Sequence, residues 1–172
     1  MGDGTVTAAI PSAAHTTDDV LLARWIEARA FCVIGGVAVV AGGVVAAVTR
    51  PLDFDLGSWV AAFLVLVGGV GQIALGGGQS WLVAARTPGH VVRAELLTWN
   101  LGSVLTIVGT LVGVPAVTTV GGVLLAVALA LFFNATRESS GSPRWLRLLY
   151  RGFVGAVLIS IPIGLVLAFL RH

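Results

Sequence analysis

The fold class this sequence predicts is all-α: a polytopic transmembrane helical bundle of about five spans. Three observations predict it. Hydrophobic residues make up 57% of the 172 residues and charged residues 10%, against about 45–50% and 25% in an ordinary soluble domain. Four long stretches carry no charged side chain: Ala30–Thr49, Leu56–Ala85, Leu96–Thr136 and Gly152–Leu170. The ten basic residues, all Arg, fall unevenly between the segments that join these stretches. So much apolar surface exceeds what a chain of this length can bury in itself, and lipid is the solvent that accepts the surplus.

Residues 1–23 read as a flexible cytoplasmic tail ahead of a transmembrane domain over 24–172. Asp3, Asp18 and Asp19 precede any long apolar run, and no basic segment opens the chain, so a signal peptide is not expected. Thr16 and Asp19 have capping-box spacing, and Val20, Leu21 and Trp25 fall on one helical face. A short amphipathic helix at headgroup level should therefore lead into the first span, about 28–49. Cys32 lies in that span among Phe31, Val33 and Ile34 and reads as a small apolar residue; as the one cysteine it has no disulfide partner within the chain.

The second stretch, Leu56–Ala85, is long for one span and short for two. Gly76-Gly77-Gly78 is the expected end or bend, because consecutive glycines weaken a helix. The second span is thus placed at about 57–77, with Gln79, Ser80 and Trp81 at the interface. The third stretch would make a helix of about 60 Å, twice the thickness of a bilayer core. It must reverse, and Gly113-Val114-Pro115 is where: glycine ends one helix and proline cannot continue it. Spans three and four follow at about 92–113 and 117–135, with Thr118 or Thr119 as the cap of the latter. A fifth span is expected at about 150–170, bent at Pro162, with Ser160 as a compensating hydrogen-bonding group.

Arginine sets the orientation. Arg24, Arg29, Arg86, Arg93, Arg137, Arg144, Arg147 and Arg151 fall on one side of a five-span bundle, and Arg50 and Arg171 on the other. Positive residues stay inside, so the N-terminus is expected in the cytoplasm and the C-terminus outside. Trp25, Trp81, Trp99 and Trp145 would then lie near the inner boundary and Trp59 near the outer one, as an aromatic belt. The absence of lysine beside abundant Ala, Gly and Val suits a GC-rich bacterial genome, so the expected location is the bacterial inner membrane. A net charge of +2 spread over several loops does not make a nucleic-acid surface.

Twenty-three glycines call for close helix packing. Gly35-Gly36 and Gly42-Gly43 recur seven residues apart, and Gly102, Thr106, Gly109 and Gly113 form a small-residue face on span three. These are expected as seams within the chain first and as contacts of a homo-oligomer or larger membrane complex second.

Polar groups inside a membrane are costly and mark function by default. Gln72 and Gln79, seven apart, share a face if the helix survives the glycines. Glu95 and Trp99 are four apart, and Asn100 and Ser103 lie on the adjoining face of span three. Gln72, Gln79, Glu95, Trp99 and Asn100 are therefore the candidate ligand-binding residues, lining a polar pocket between spans two and three that opens to the cytoplasm. Structural use competes with this, since such side chains also bridge helices at about 0.6 kcal/mol on average, and Glu95 could pair with Arg93, Arg86 or Arg24 among the headgroups.

No catalytic constellation is expected. His15, His90 and His172 all lie outside the spans, and no metal-ligand, nucleophile-elbow or phosphate-loop motif is present. No cofactor and no metal site are predicted. The run Glu95-Leu-Leu-Thr-Trp99-Asn100-Leu-Gly102, followed by Gly109-Thr110, Gly113 and Pro115, resembles segments of small polytopic bacterial membrane proteins, with a faint likeness to NnrS-type and haem–copper-oxidase-like helices. That resemblance would imply haem, yet the intramembrane histidines of such proteins are absent. The sequence alone favours a non-enzymatic accessory or interaction subunit. A small oligomeric transporter or channel using the polar pocket is the alternative, and a haem or quinone binder the weaker one.

Overall fold

The structure is a computed structural model, and it describes residues 13–82, 88–135, 144–146 and 148–157. Apart from short turns these residues are helical. The order is α1 (Ala13–Thr49), α2 (Gly57–Phe63), a π-helical segment (Leu64–Gly71), α3 (Gln72–Leu82), α4 (Gly89–Leu111) and α5 (Pro115–Ala135); residues 148–157 are helical as well. Four helices are long and apolar enough to cross a membrane: Ala28–Thr49, Gly57–Ser80, Gly89–Leu111 and Pro115–Ala135. Most of the fifth expected span, with Ser160 and Pro162, lies outside the described residues.

Helix α1 is unbroken. The expected amphipathic start near Thr16 lies inside a single helix that begins at Ala13 and runs directly into the first span. At 1.5 Å per residue its 37 residues reach about 55 Å, well beyond a bilayer core. The turn Arg50–Leu56 follows, tightened by a Phe54 N–H bond to the Thr49 carbonyl (3.0 Å) and by Asp53 at φ 47°.

The second span departs from expectation at both ends of its glycine content. Gly76-Gly77-Gly78 neither ends nor bends the helix, since α3 continues through them to Leu82. The reason is packing from afar. A Cβ on Gly76 would fall within the Phe31 ring of α1, and one on Gly78 would lie 2.8 Å from the Tyr150 ring. At Gly76 and Gly78 large rings occupy the space a side chain would take, which accounts for glycine at these two positions. The irregularity sits one turn earlier, where Leu64–Gly71 winds as a π-helix. A π turn takes up an extra residue and so rotates everything after it by about 100° relative to an α-helix.

The reversal between spans three and four occurs where it is expected. Gly113 adopts φ +65°, which glycine reaches without a Cβ clash, and the Val114 N–H bonds to the Gly109 carbonyl at 2.9 Å. Pro115 then opens α5, where its missing N–H is no loss. Neither Thr118 nor Thr119 is the cap. Both lie inside α5, and the Thr119 hydroxyl donates back to the Pro115 carbonyl at 2.9 Å.

Two antiparallel pairs make the bundle. In the first, Gly35 approaches Gly69 so closely that a Cβ would lie 2.9 Å from the Gly69 carbonyl oxygen, and Gly42 meets the Ala61 carbonyl at the same distance. In the second, Gly102 meets the Gly121 carbonyl oxygen at 2.9 Å, and Gly109 abuts Thr118. Each expected glycine pair on α1 is split. Gly35 and Gly42 form the seam, while Gly36 and Gly43 have no neighbour within 4 Å among the described residues. Phe31, Leu75, Trp99, Leu125, Leu129, Phe132 and Val154 join the two pairs in one core. The outward faces are apolar too, as with Leu97, Leu101, Val104 and Val108 on α4.

Candidate functional site

Helix α4 has two unlike faces. Leu97, Leu101, Val104 and Val108 point outward, while Glu95, Trp99 and Ser103, at steps of four, point into the bundle. Polar groups lie inside and apolar groups outside, the reverse of a soluble helix and the arrangement lipid imposes. Helix α3 presents a matching row, Gln72, Leu75, Gln79, at helical spacing. The rows run antiparallel. Gln79 meets Glu95, and Gly71 lies at the level of Trp99, with a Cβ on Gly71 falling 3.5 Å from the Trp99 ring.

The row is deeply buried, and the other buried polar side chain among the described residues, Ser80, lies beside it on α3. Gln72 and Glu95 are 0% exposed, Gln79 3% and Ser103 6%. One hydrogen bond crosses it, from the Gln79 amide Nε2 to Glu95 Oε1 at 3.2 Å. Among the described residues six atoms are left without a protein partner: both ends of the Gln72 amide, Gln79 Oε1, Glu95 Oε2, Trp99 Nε1 and Ser103 Oγ. Buried side-chain polar atoms are ordinarily satisfied, and those that are not call for a water, an ion or a ligand.

The surrounding groups fix the row and close it off. The Ser80 hydroxyl donates to the Gly76 carbonyl at 2.9 Å within α3. The Tyr150 hydroxyl reaches the Leu75 carbonyl at 2.9 Å, tying residues 148–157 to the middle of α3. Trp99 stands edge-on to Phe132 at 6.3 Å between centroids, and Phe132 in turn meets Phe31 at 5.8 Å. Trp99 thus faces the interior of the bundle. Trp25 and Trp145 do lie exposed.

Of the candidate ligand-binding residues, Gln72, Gln79, Glu95 and Trp99 come together. Asn100 does not join them; its amide Nδ2 donates to the Leu96 carbonyl of its own helix at 2.8 Å. Its place in the row is taken by Ser103. Of the arginines expected to pair with Glu95, Arg93 is exposed, and Arg86 and the Arg24 side chain lie outside the described residues; the Glu95 carboxyl has Gln79 as a partner. Tyr150 and Phe31 escape a reading of the sequence, for which the sole signal is a lone tyrosine at the start of the last apolar stretch. Among the described residues no group of three His, Cys, Asp or Glu side chains could hold a metal ion, and His90 lies exposed at the start of α4.

The row can accept hydrogen bonds at Gln79 Oε1 and Glu95 Oε2, donate from Trp99 Nε1, and do either at Gln72 and Ser103. Comparison with known proteins adds no name to this arrangement: no protein-family model, curated protein or solved structure matches the chain.

Proposed function

We propose that the protein is a small multi-pass membrane protein of the transporter or channel class, which takes a small polar solute or ion into the row between spans two and three. Gln72 carries this reading. Its side chain is fully buried, and neither its donor nor its acceptor end is paired. Glutamine that merely bridges helices would be paired, because an unmade bond in an apolar interior costs about 1–3 kcal/mol. A π-helical turn directly before Gln72 adds support, since such turns recur at functional positions and rotate the following residues toward the site. In the bacterial inner membrane the arginine distribution favours a cytoplasmic N-terminus and an external C-terminus. Gln79 and Glu95 then form the cytoplasmic end of the row and Ser103 its deeper end.

Reconstitution into liposomes tests this. Stopped-flow light scattering for water, urea and glycerol, together with dye-reported flux of protons, Na⁺ and K⁺, should reveal at least one species that crosses faster than in empty vesicles. Glu95→Gln, which keeps the shape of the side chain, should abolish that flux. Fluxes equal to those of empty vesicles for every probe contradict the reading.

A second reading, an accessory or interaction subunit, has its own observation. On α1, Gly36 and Gly43 have nothing within 4 Å among the described residues and lie beside the exposed Val33, Val37, Val40 and Val44. That flat strip suits another transmembrane helix, whether of a second copy or of a larger complex. Stoichiometric co-purification of a partner, lost on Gly43→Leu, is the result this reading expects.

A further inference from the structure

We propose that an anionic phospholipid binds on the flank where α5 meets residues 148–157, with its phosphate on Arg151. This site lies apart from the buried row and does not depend on transport.

Arg151 is held in place from two sides. Its neighbour Tyr150 is buried and bonded to the Leu75 carbonyl, and Val154, one turn further on, is fully buried. These two residues fix which way the segment 148–157 faces. Arg151 itself is half-buried, with its guanidinium Cζ 4.4 Å from the centroid of the Phe133 ring of α5. Stacking occupies one flat face of a guanidinium and leaves its N–H groups free in the plane, the fork that grips two oxygens of a phosphate. The ring also steadies a long side chain, so less rotamer freedom is lost on binding.

Toward the middle of the span the same flank is apolar and open. One and two turns before Phe133, α5 carries Ala130, which is exposed, and Ala126, which is half-buried. On the other segment, a Cβ at Gly152 or Gly155 would meet nothing within 4 Å among the described residues. Small residues ordinarily let helix backbones close on one another. At these two glycines no such closure occurs, and the space suits an acyl chain hanging below the phosphate.

Charge selects the headgroup. Phe31 meets Phe132 at 5.8 Å, which brings Arg29 of α1 to the Phe133 end of the bundle. Helices α4 and α5 run antiparallel, with Gly102 against Gly121 and Gly109 against Thr118, so Arg93 comes to that end too. Both arginines are exposed, whereas the exposed Asp53 and Asp55 belong to the turn at the opposite end. In the sequence, the eight arginines assigned to this end outnumber its acids, Asp3, Asp18, Asp19, Glu27 and Glu138. A surface with that bias attracts anionic headgroups. A zwitterionic lipid carries its own cation beside the phosphate and gains less.

The test is thermal unfolding of the full chain in neutral detergent, with phosphatidylglycerol or phosphatidylcholine added. Phosphatidylglycerol should raise the midpoint saturably, by about 5–10 °C at about a hundred times Kd, and phosphatidylcholine should not. Arg151→Gln should remove most of the rise. Phe133→Leu, which keeps apolar bulk and loses the ring face, should weaken it. Arg50→Gln, at the other end of the bundle, should leave it intact. If Arg151→Gln fails to fold without lipid, Gly155→Leu decides instead, because filling the open flank should also weaken the rise. An equal rise with both lipids overturns the proposal, as does a rise that Arg151→Gln, or Gly155→Leu in its place, leaves whole. Inorganic phosphate that reproduces the rise without lipid overturns it as well, since the acyl chains would then play no part.

Discussion

At the level of single side chains, the buried row sets unequal demands on its members. The Tyr150 hydroxyl is fully engaged with the Leu75 carbonyl, so it behaves as structure. Tyr150→Phe removes one bond and should lower stability by about 1 kcal/mol while leaving flux intact, as chemical unfolding beside a liposome assay would show. Glu95 is half engaged, and Asn100 and Thr98 are turned to carbonyls of their own helix. Asn100→Ala should therefore leave flux unchanged, whereas Ser103→Ala should reduce it. The opposite ranking would place the site on the adjoining face of α4. Intramembrane polar residues are scarce, so the grouping of Gln72, Gln79, Glu95 and Trp99 is legible in the sequence. The choice between Asn100 and Ser103 was not, because both lie within reach of the Glu95 face and the bundle's rotation decides between them. Tyr150 was illegible for a different reason: its partner is a backbone carbonyl far away in the chain, and a carbonyl leaves no mark on the sequence.

Among the helices, glycine acts in three separate ways. At Gly113 it supplies a left-handed turn. At Gly35, Gly42 and Gly102 it admits a neighbouring backbone, and at Gly76 it admits the Phe31 ring. Only the first depends on adjacent residues, which is why the Gly113–Pro115 reversal could be read from the chain and the passage of α3 through Gly76–Gly78 could not. The three glycines also give a sharp contrast. Gly77→Ala meets nothing within 4 Å among the described residues and should stabilise α3 by about 0.5–1 kcal/mol through helix propensity. Gly76→Ala would place its Cβ inside the Phe31 ring and should cost about 1–3 kcal/mol. Equal effects of the two, in thermal unfolding in detergent, would mean that Phe31 does not pack there. The π-helical segment had a faint signal in Gly68, Gly69 and Gly71, though glycine alone does not distinguish a π turn from a bend.

For the molecule as a whole, four described helices long and apolar enough to span a membrane enclose a polar row and turn apolar faces outward. With Cys32 replaced by serine, a cysteine introduced at Gly141 should react with impermeant reagents from the side that also exposes one at His15, and one at Asp53 from the opposite side. Labelling of all three from one side would overturn the arginine-based topology. The central claim, that the row serves a ligand rather than cohesion, is tested most directly by one variant read in two ways. Gln72→Leu exchanges an unpaired buried amide for an apolar group of similar size. If the row is a site, this variant unfolds at the same or a higher denaturant concentration, by up to about 1–2 kcal/mol, and loses most of its flux in liposomes. A protein destabilised by more than about 1 kcal/mol with its flux retained would contradict the account.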